Sequence, residues 1–206
     1  MNTEKLANRD YYLVLDKSGS MSTDDCPGGK TRWDYAQESV LAIARKLNEF
    51  DPDGIAIVPF ASTAKLYDNV TPAKVADLFK ENEPGGGTNL ATALDVVFRD
   101  YNAKKKAGTT KANGAIAIVI TDGQPLDGPA AAKGIVAFGN SLSNADEEFG
   151  ISFFQIGHDQ AATAYLKSLD DDLGKQGAKH DIVDTKTIDE VEAIGMTEAI
   201  LAALSD

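Results

Sequence analysis

The chain has 206 residues, the length of one domain, and its 43% hydrophobic and 25% charged residues are the proportions of an ordinary globular protein. Its 32 acidic against 20 basic side chains give a formal net charge of −12, which opposes nonspecific association with nucleic acid or an anionic membrane, both themselves polyanions. The single cysteine, Cys26, excludes an internal disulfide and a thiolate metal cluster; with no apolar leader in MNTEKLANRD and no apolar run near the ~20 residues of a membrane span, a soluble, cytoplasmic protein is expected.

From the N-terminus, the apolar run YYLVL at 11–15 predicts a strand, and it runs into DKSGSMS, where Asp16 is followed by hydroxyls at alternate positions with Gly19 between them. The loop TDDCPGGKTRW comes next, with Cys26 in a polar setting that suggests exposure. Over 32–50, Trp33, Ala36, Val40, Ala44 and Leu47 recur at helical spacing, with Trp33 as a core anchor. Residues 55–60 predict a second strand, and 65–70, too close behind it for a crossover helix, an antiparallel edge strand. A short helix is expected over 72–80, with Thr71 as N-cap and proline in its first turn. The segment PGGGTNL introduces a helix over 89–101, and the basic, glycine-bearing stretch 104–113 predicts a solvated loop.

The run AIAIVI at 115–120 predicts a strand closing in Thr121, Asp122 and Gly123. Further strands are expected at 151–156 and 180–183, and helices over 128–142, 159–173 and 187–204, the last with Asp189 and Glu190 in its first turn and Gly195 as a tolerated helical glycine. Asp159 is expected to cap its helix, and His158 to lie in a surface loop. Strands this continuously apolar are buried on both faces. The fold class is therefore α/β: a Rossmann-like three-layer α/β/α sandwich with a mainly parallel central sheet and one antiparallel edge strand, in a single domain over 1–206.

In such a sheet ligands bind beyond the carboxyl ends of the strands, where strand order reverses. Asp16, Ser18, Ser20, Thr88 and Asp122 all belong at that edge, and every one presents oxygen. Hydroxyls and carboxylates without a Cys or His pair suit a hard cation, Mg2+ first, with Mn2+ or Ca2+ open, rather than zinc. Two aspartates balance a divalent charge, while hydroxyls add coordination and leave the ion electrophilic toward an outside carboxylate. Other chemistry finds little support. Gly85, Gly86 and Gly87 lack the ending of a phosphate-binding loop, no serine lies in G-x-S-x-G, and Ser18 stands where a phosphotransfer site would carry its second aspartate.

DKSGSMS, with the later GGGTNL and VITDG, resembles a von Willebrand factor A domain carrying a metal-ion-dependent adhesion site, whose pattern is Asp-x-Ser-x-Ser, then Thr, then Asp. All five positions match, and the resemblance extends to the order of strands and helices. It implies that Ser18, Ser20 and Thr88 coordinate the ion directly or through water, while Asp16 and Asp122 act mainly through waters and hydrogen bonds. A partner's Asp or Glu would complete the ion's shell, with Ser22, Gly87, Asn89 and Gly123 flanking that ligand. The implied function is a cation-dependent protein-binding module without chemistry of its own. Stand-alone intracellular relatives often work beside ATPase machines or in assembly and stress systems. The competing reading is a metal-dependent hydrolase or phosphatase using the same ion to activate water, for which Asp24 or Asp25 would be the base. Those two aspartates lie in a loop longer than a simple junction, where their charge either raises cation affinity or repels an acidic ligand.

Overall fold

The computed structural model describes residues 6–144, 148–195 and 198–200. Six strands form one sheet: β1 (Asp10–Asp16), β2 (Ile55–Phe60), β3 (Tyr67–Val70), β4 (Ala115–Thr121), β5 (Phe149–Gln155) and β6 (Val183–Thr187). Their order is β3-β2-β1-β4-β5-β6, and every pairing is parallel except that of β2 with β3. The chain builds outward from β1 to β3 on one side, then returns to lay β4 against the other flank of β1. Strand order thus reverses between β1 and β4.

The side-chain period of two sorts each apolar strand into two cores. Tyr11, Leu13 and Leu15 of β1, with Ile116, Ile118 and Ile120 of β4, meet α1 (Arg32–Leu47) and α2 (Pro72–Glu81) on one face. Tyr12 and Val14, with Ala117 and Val119, meet α3 (Leu90–Ala107), α4 (Gly128–Gly139) and α5 (Gln160–Asp171) on the other. Trp33 packs its ring 4.5 Å from that of Phe79, joining α1 to α2, and Phe98 stacks on Phe138 at 4.0 Å, joining α3 to α4. Helix α6 (Ile188–Ile194) opens with a capping box between Thr187 and Glu190. Among the described residues no helix is long and apolar enough to cross a membrane.

Several boundaries depart from expectation. The basic segment at 104–107 is the end of α3 rather than a loop. Lys104, Lys105 and Lys106 fill its last turn, where cations complement the helix dipole, and Gly108 caps it at φ +68°. Lys104 also pairs with Asp100 at 3.0 Å and lies over the Tyr12 ring, and Lys105 pairs with Glu148. The last strand is VDTKT at 183–187, beyond the apolar residues that suggested 180–183; an edge strand has one open side, so polar side chains are tolerated there. Helix α6 stops at Gly195, whose φ of +90° is that of a terminator and not of a helical glycine. Residues 198–200 are helical again, with Ala199 N donating to Gly195 O at 3.1 Å, and the rest of the expected continuation to 204 lies outside the described residues.

Cys26 is buried, not exposed. Its N–H bonds to Lys30 O at 3.2 Å across a small hairpin whose turn uses Gly28 and Gly29 at φ +78° and +71°. This hairpin is why the loop after Ser22 is long. At the opposite edge of the sheet, Gly114 sits at φ +76°, and a Cβ there would stand 2.0 Å from Glu148 O. Gly114→Ala is expected to lower stability by about 3 kcal/mol or more in urea unfolding, since both backbone strain and a main-chain clash oppose it.

Candidate metal centre

Because β1 and β4 lie side by side and run in the same direction, Asp16 at the end of one and Asp122 just past the other emerge together at the switch point. Asp16 is fully buried. The Ser18 N–H donates to its Oδ1 at 2.8 Å, and the Thr121 hydroxyl to its Oδ2 at 2.7 Å, so one carboxylate ties the start of the loop to the end of β4. Burial pushes the Asp16 carboxyl up to about 6, against the pull of those hydrogen bonds, and the charge of Asp122 adds to the rise.

After Ser18, residues Gly19–Ser22 form a 3-10 turn that drops Met21 into the core. The turn leaves Ser18 Oγ and Ser20 Oγ 3.0 Å apart, and Ser20 Oγ donates to Asp122 Oδ1 at 2.9 Å. Oxygens from two distant parts of the chain therefore form one continuous string. Adjacent oxygens of an octahedral shell with metal–oxygen distances of about 2.0–2.1 Å lie about 2.9 Å apart, which matches both spacings. Among the described residues no three His, Cys, Asp or Glu side chains converge, so the donors here are hydroxyls with two carboxylates. That set fits a hard, magnesium-sized ion.

The glycine-rich loop is laced onto this turn through the backbone: Gly19 N donates to Gly86 O at 3.1 Å and Gly85 N to Lys17 O at 2.7 Å. Gly86 has φ +85°, and a Cβ on it would stand 3.0 Å from Ser62 Oγ, so the approach needs glycine. Thr88 follows, partly buried, and its carbonyl accepts Leu126 N at 2.9 Å, which links the loop to the segment beyond Asp122. Gly87 N and the Asn89 side chain bond to Ser62 Oγ and Ser62 O, at 3.1 and 3.2 Å. They brace the glycine loop against the turn after β2. Ser22 is exposed on the rim of a cleft of about 470 Å³ shared with Trp33, Phe79 and Pro84, and a Cβ on Gly123 would meet open space. Leu126, 77% exposed, lies against Gly87.

One residue at the site is absent from the motif. Arg32, the first residue of α1, donates from Nη1 to Asp122 Oδ2 at 2.9 Å, and from Nε and Nη2 to both oxygens of Asp25 at 2.9 and 2.6 Å. The guanidinium holds the Asp25 carboxyl below the usual carboxylate range and is itself held firmly charged by the two carboxylates. Asp25 is thus paired with an internal cation, and both it and Asp24 are exposed. His158 is exposed next to Gly157, against which Arg32 lies, and Asp159 caps α5 through Ala162 N at 2.8 Å. The signals for Arg32 were its place at a helix start and Asp25 seven positions earlier; its bond to Asp122 spans 90 residues and leaves no local trace.

Comparison with known proteins points the same way as the strand order. A family model described as von Willebrand factor type A domain matches residues 11–124, more than half of the chain. The structure is similar to a von Willebrand factor type A protein from Catenulispora acidiphila, at 18% identity and a TM-score of 0.60, over 96% of this chain and 43% of that one. It is also similar to a mutant of the PilB minor pilin from Streptococcus sanguinis (17%, TM-score 0.61, 97% and 60%) and to the pilus adhesin SpaC from Lactobacillus rhamnosus GG (16%, TM-score 0.62, 96% and 30%). The chain spans less than two thirds of the length of each, and at these identities the likeness is one of fold. No curated protein sequence matches it.

Proposed function

As the chain belongs to the von Willebrand factor type A domain family, we propose that it is a divalent-cation-dependent protein-binding module. A magnesium-class ion is held by Ser18, Ser20 and Thr88, with Asp16 and Asp122 balancing its charge, and a partner's Asp or Glu carboxylate completes its shell. The observation that carries this reading is the unbroken string Ser18 Oγ, Ser20 Oγ, Asp122 Oδ1 at the switch point, at the oxygen spacing of an octahedral ion. The net charge of −12 favours a protein partner over nucleic acid or membrane, and the lone, buried Cys26 suits a reducing, cytoplasmic setting. Leu126, exposed beside Gly87, supplies apolar contact area next to the ion. Against the hydrolase reading stands Asp25, whose proton affinity is lowered by Arg32 and which makes a poor general base.

With magnesium present, the immobilised protein is expected to retain a partner that chelator releases and that Ser18→Ala fails to capture. Leu126→Ser should weaken capture while leaving the magnesium-induced rise in Tm intact. Capture indifferent to both chelator and Ser18→Ala would refute the reading, as would magnesium-dependent phosphatase or esterase turnover lost in Asp122→Ala.

A further inference from the structure

Resting on the metal reading above, we propose that Arg32 is the residue that sets how tightly the site holds its ion: a fixed positive charge, locked between Asp122 and Asp25, that opposes the cation from across a shared carboxylate. Asp122 is divided between the two, with Ser20 on Oδ1 and Arg32 Nη1 on Oδ2, both at 2.9 Å. The guanidinium cannot turn aside cheaply. Its Nε and Nη2 form a two-pronged pair with Asp25, which fixes both the plane and the direction of the fork. Behind it lies the bare backbone of Gly157, at φ +75°, where a Cβ would come within 3.2 Å of Nε and 3.3 Å of Cζ. Its own main chain is anchored as well, because Arg32 N donates to Thr23 O at 2.8 Å. The side chain is only 13% exposed, so solvent screens the charge weakly.

Three chemical consequences follow from that placement. An ion held on the Ser20 side of Asp122 would face Arg32 across that carboxylate, with Asp25 beyond the guanidinium and partly offsetting it; the net effect would be about a ten- to hundred-fold loss of cation affinity. Arg32 also draws charge from Asp122, which leaves the ion more electrophilic toward an incoming carboxylate. Finally, it offsets part of the negative potential that Asp122, Asp25 and the net charge of −12 present to an acidic partner.

Mn2+ binding to the full chain, followed by electron paramagnetic resonance, tests this directly. Arg32→Gln is expected to bind Mn2+ about ten- to hundred-fold more tightly, Arg32→Lys within about threefold of the unsubstituted protein, and Asp25→Asn about tenfold more weakly. The opposite signs matter, because a loop merely disordered by substitution loses affinity in both Arg32→Gln and Asp25→Asn. Should Arg32→Gln fail to fold, Asp25→Asn together with Arg32→Lys still decides: unchanged or tighter binding in Asp25→Asn overturns the proposal. Binding in Arg32→Gln equal to or weaker than that of the unsubstituted protein overturns it too, while the reading of the site survives. No Mn2+ binding by the unsubstituted protein overturns both.

Discussion

In chelator at pH 8, Asp16→Asn is expected to unfold at a higher temperature than the unsubstituted protein, and to show none of the rise in Tm that magnesium gives the latter. The sign follows from burial. The Asp16 carboxyl is raised in the fold from 3.8 to about 6, so its contribution to stability is fully present below the unfolded value of 3.8 and is lost as pH rises through about 6. Above that pH the fold carries a buried charge whose cost, over a shift of about two units, is on the order of 3 kcal/mol. Asparagine removes the charge and keeps the hydrogen bonds, since its carbonyl can accept from Ser18 N and its amide can donate to the Thr121 hydroxyl. For a chain of this length the gain corresponds to about 5–10 °C in Tm at pH 8, vanishing near pH 4. A residue that costs stability in the absence of its ligand marks a site kept for binding. Thermal unfolding of both proteins at pH 4 and pH 8, with chelator and with magnesium, checks all four values; a less stable Asp16→Asn in chelator at pH 8 contradicts the argument.

The second large effect is the reverse in sign. Asp122→Ala is expected to lower stability by about 2–3 kcal/mol in urea unfolding, because it strips the buried one of Arg32's two partners and leaves Ser20 without its acceptor. Asp122 has no exposed side-chain surface and Arg32 very little, so water does not replace the lost contact. Combining Arg32→Gln with Asp122→Asn removes both charges and should cost less than the two single substitutions Arg32→Gln and Asp122→Asn added together. The double-mutant cycle on these two positions measures their coupling, and a coupling below about 0.5 kcal/mol would show that the pair does not act as a unit. Magnesium should not raise the Tm of Asp122→Ala.

What was legible in the sequence is what periodicity and strand ends record. The run YYLVL hides two interleaved sets, Tyr11 with Leu13 and Tyr12 with Val14, which lie in different cores. Such continuity implies burial on both faces. Asp16 and Asp122 could be set at one edge because a parallel sheet puts all its carboxyl ends there. The features that escaped depend on contacts between distant residues or on context that local pattern lacks. Lys104, Lys105 and Lys106 look like a solvated loop until the dipole of α3 and their partners Asp100 and Glu148 are in place. In β6 the polar VDTKT is a strand because β5 pairs with it, as Phe153 does with Thr185. The bonds of Gly87 and Asn89 to Ser62 likewise join residues more than 20 positions apart. Arg32, the least expected member of the site, needed Asp122 and Gly157 beside it before its role was visible.

The central claim is best tested by crystals of the protein grown in manganese and examined by anomalous scattering. A single peak about 2.2 Å from Ser18 Oγ and Ser20 Oγ, bordered by Thr88 and Asp122 and with one coordination position open to solvent or filled by a carboxylate, is the predicted result. Density showing those hydroxyls turned apart, or manganese bound only elsewhere on the acidic surface, would contradict it.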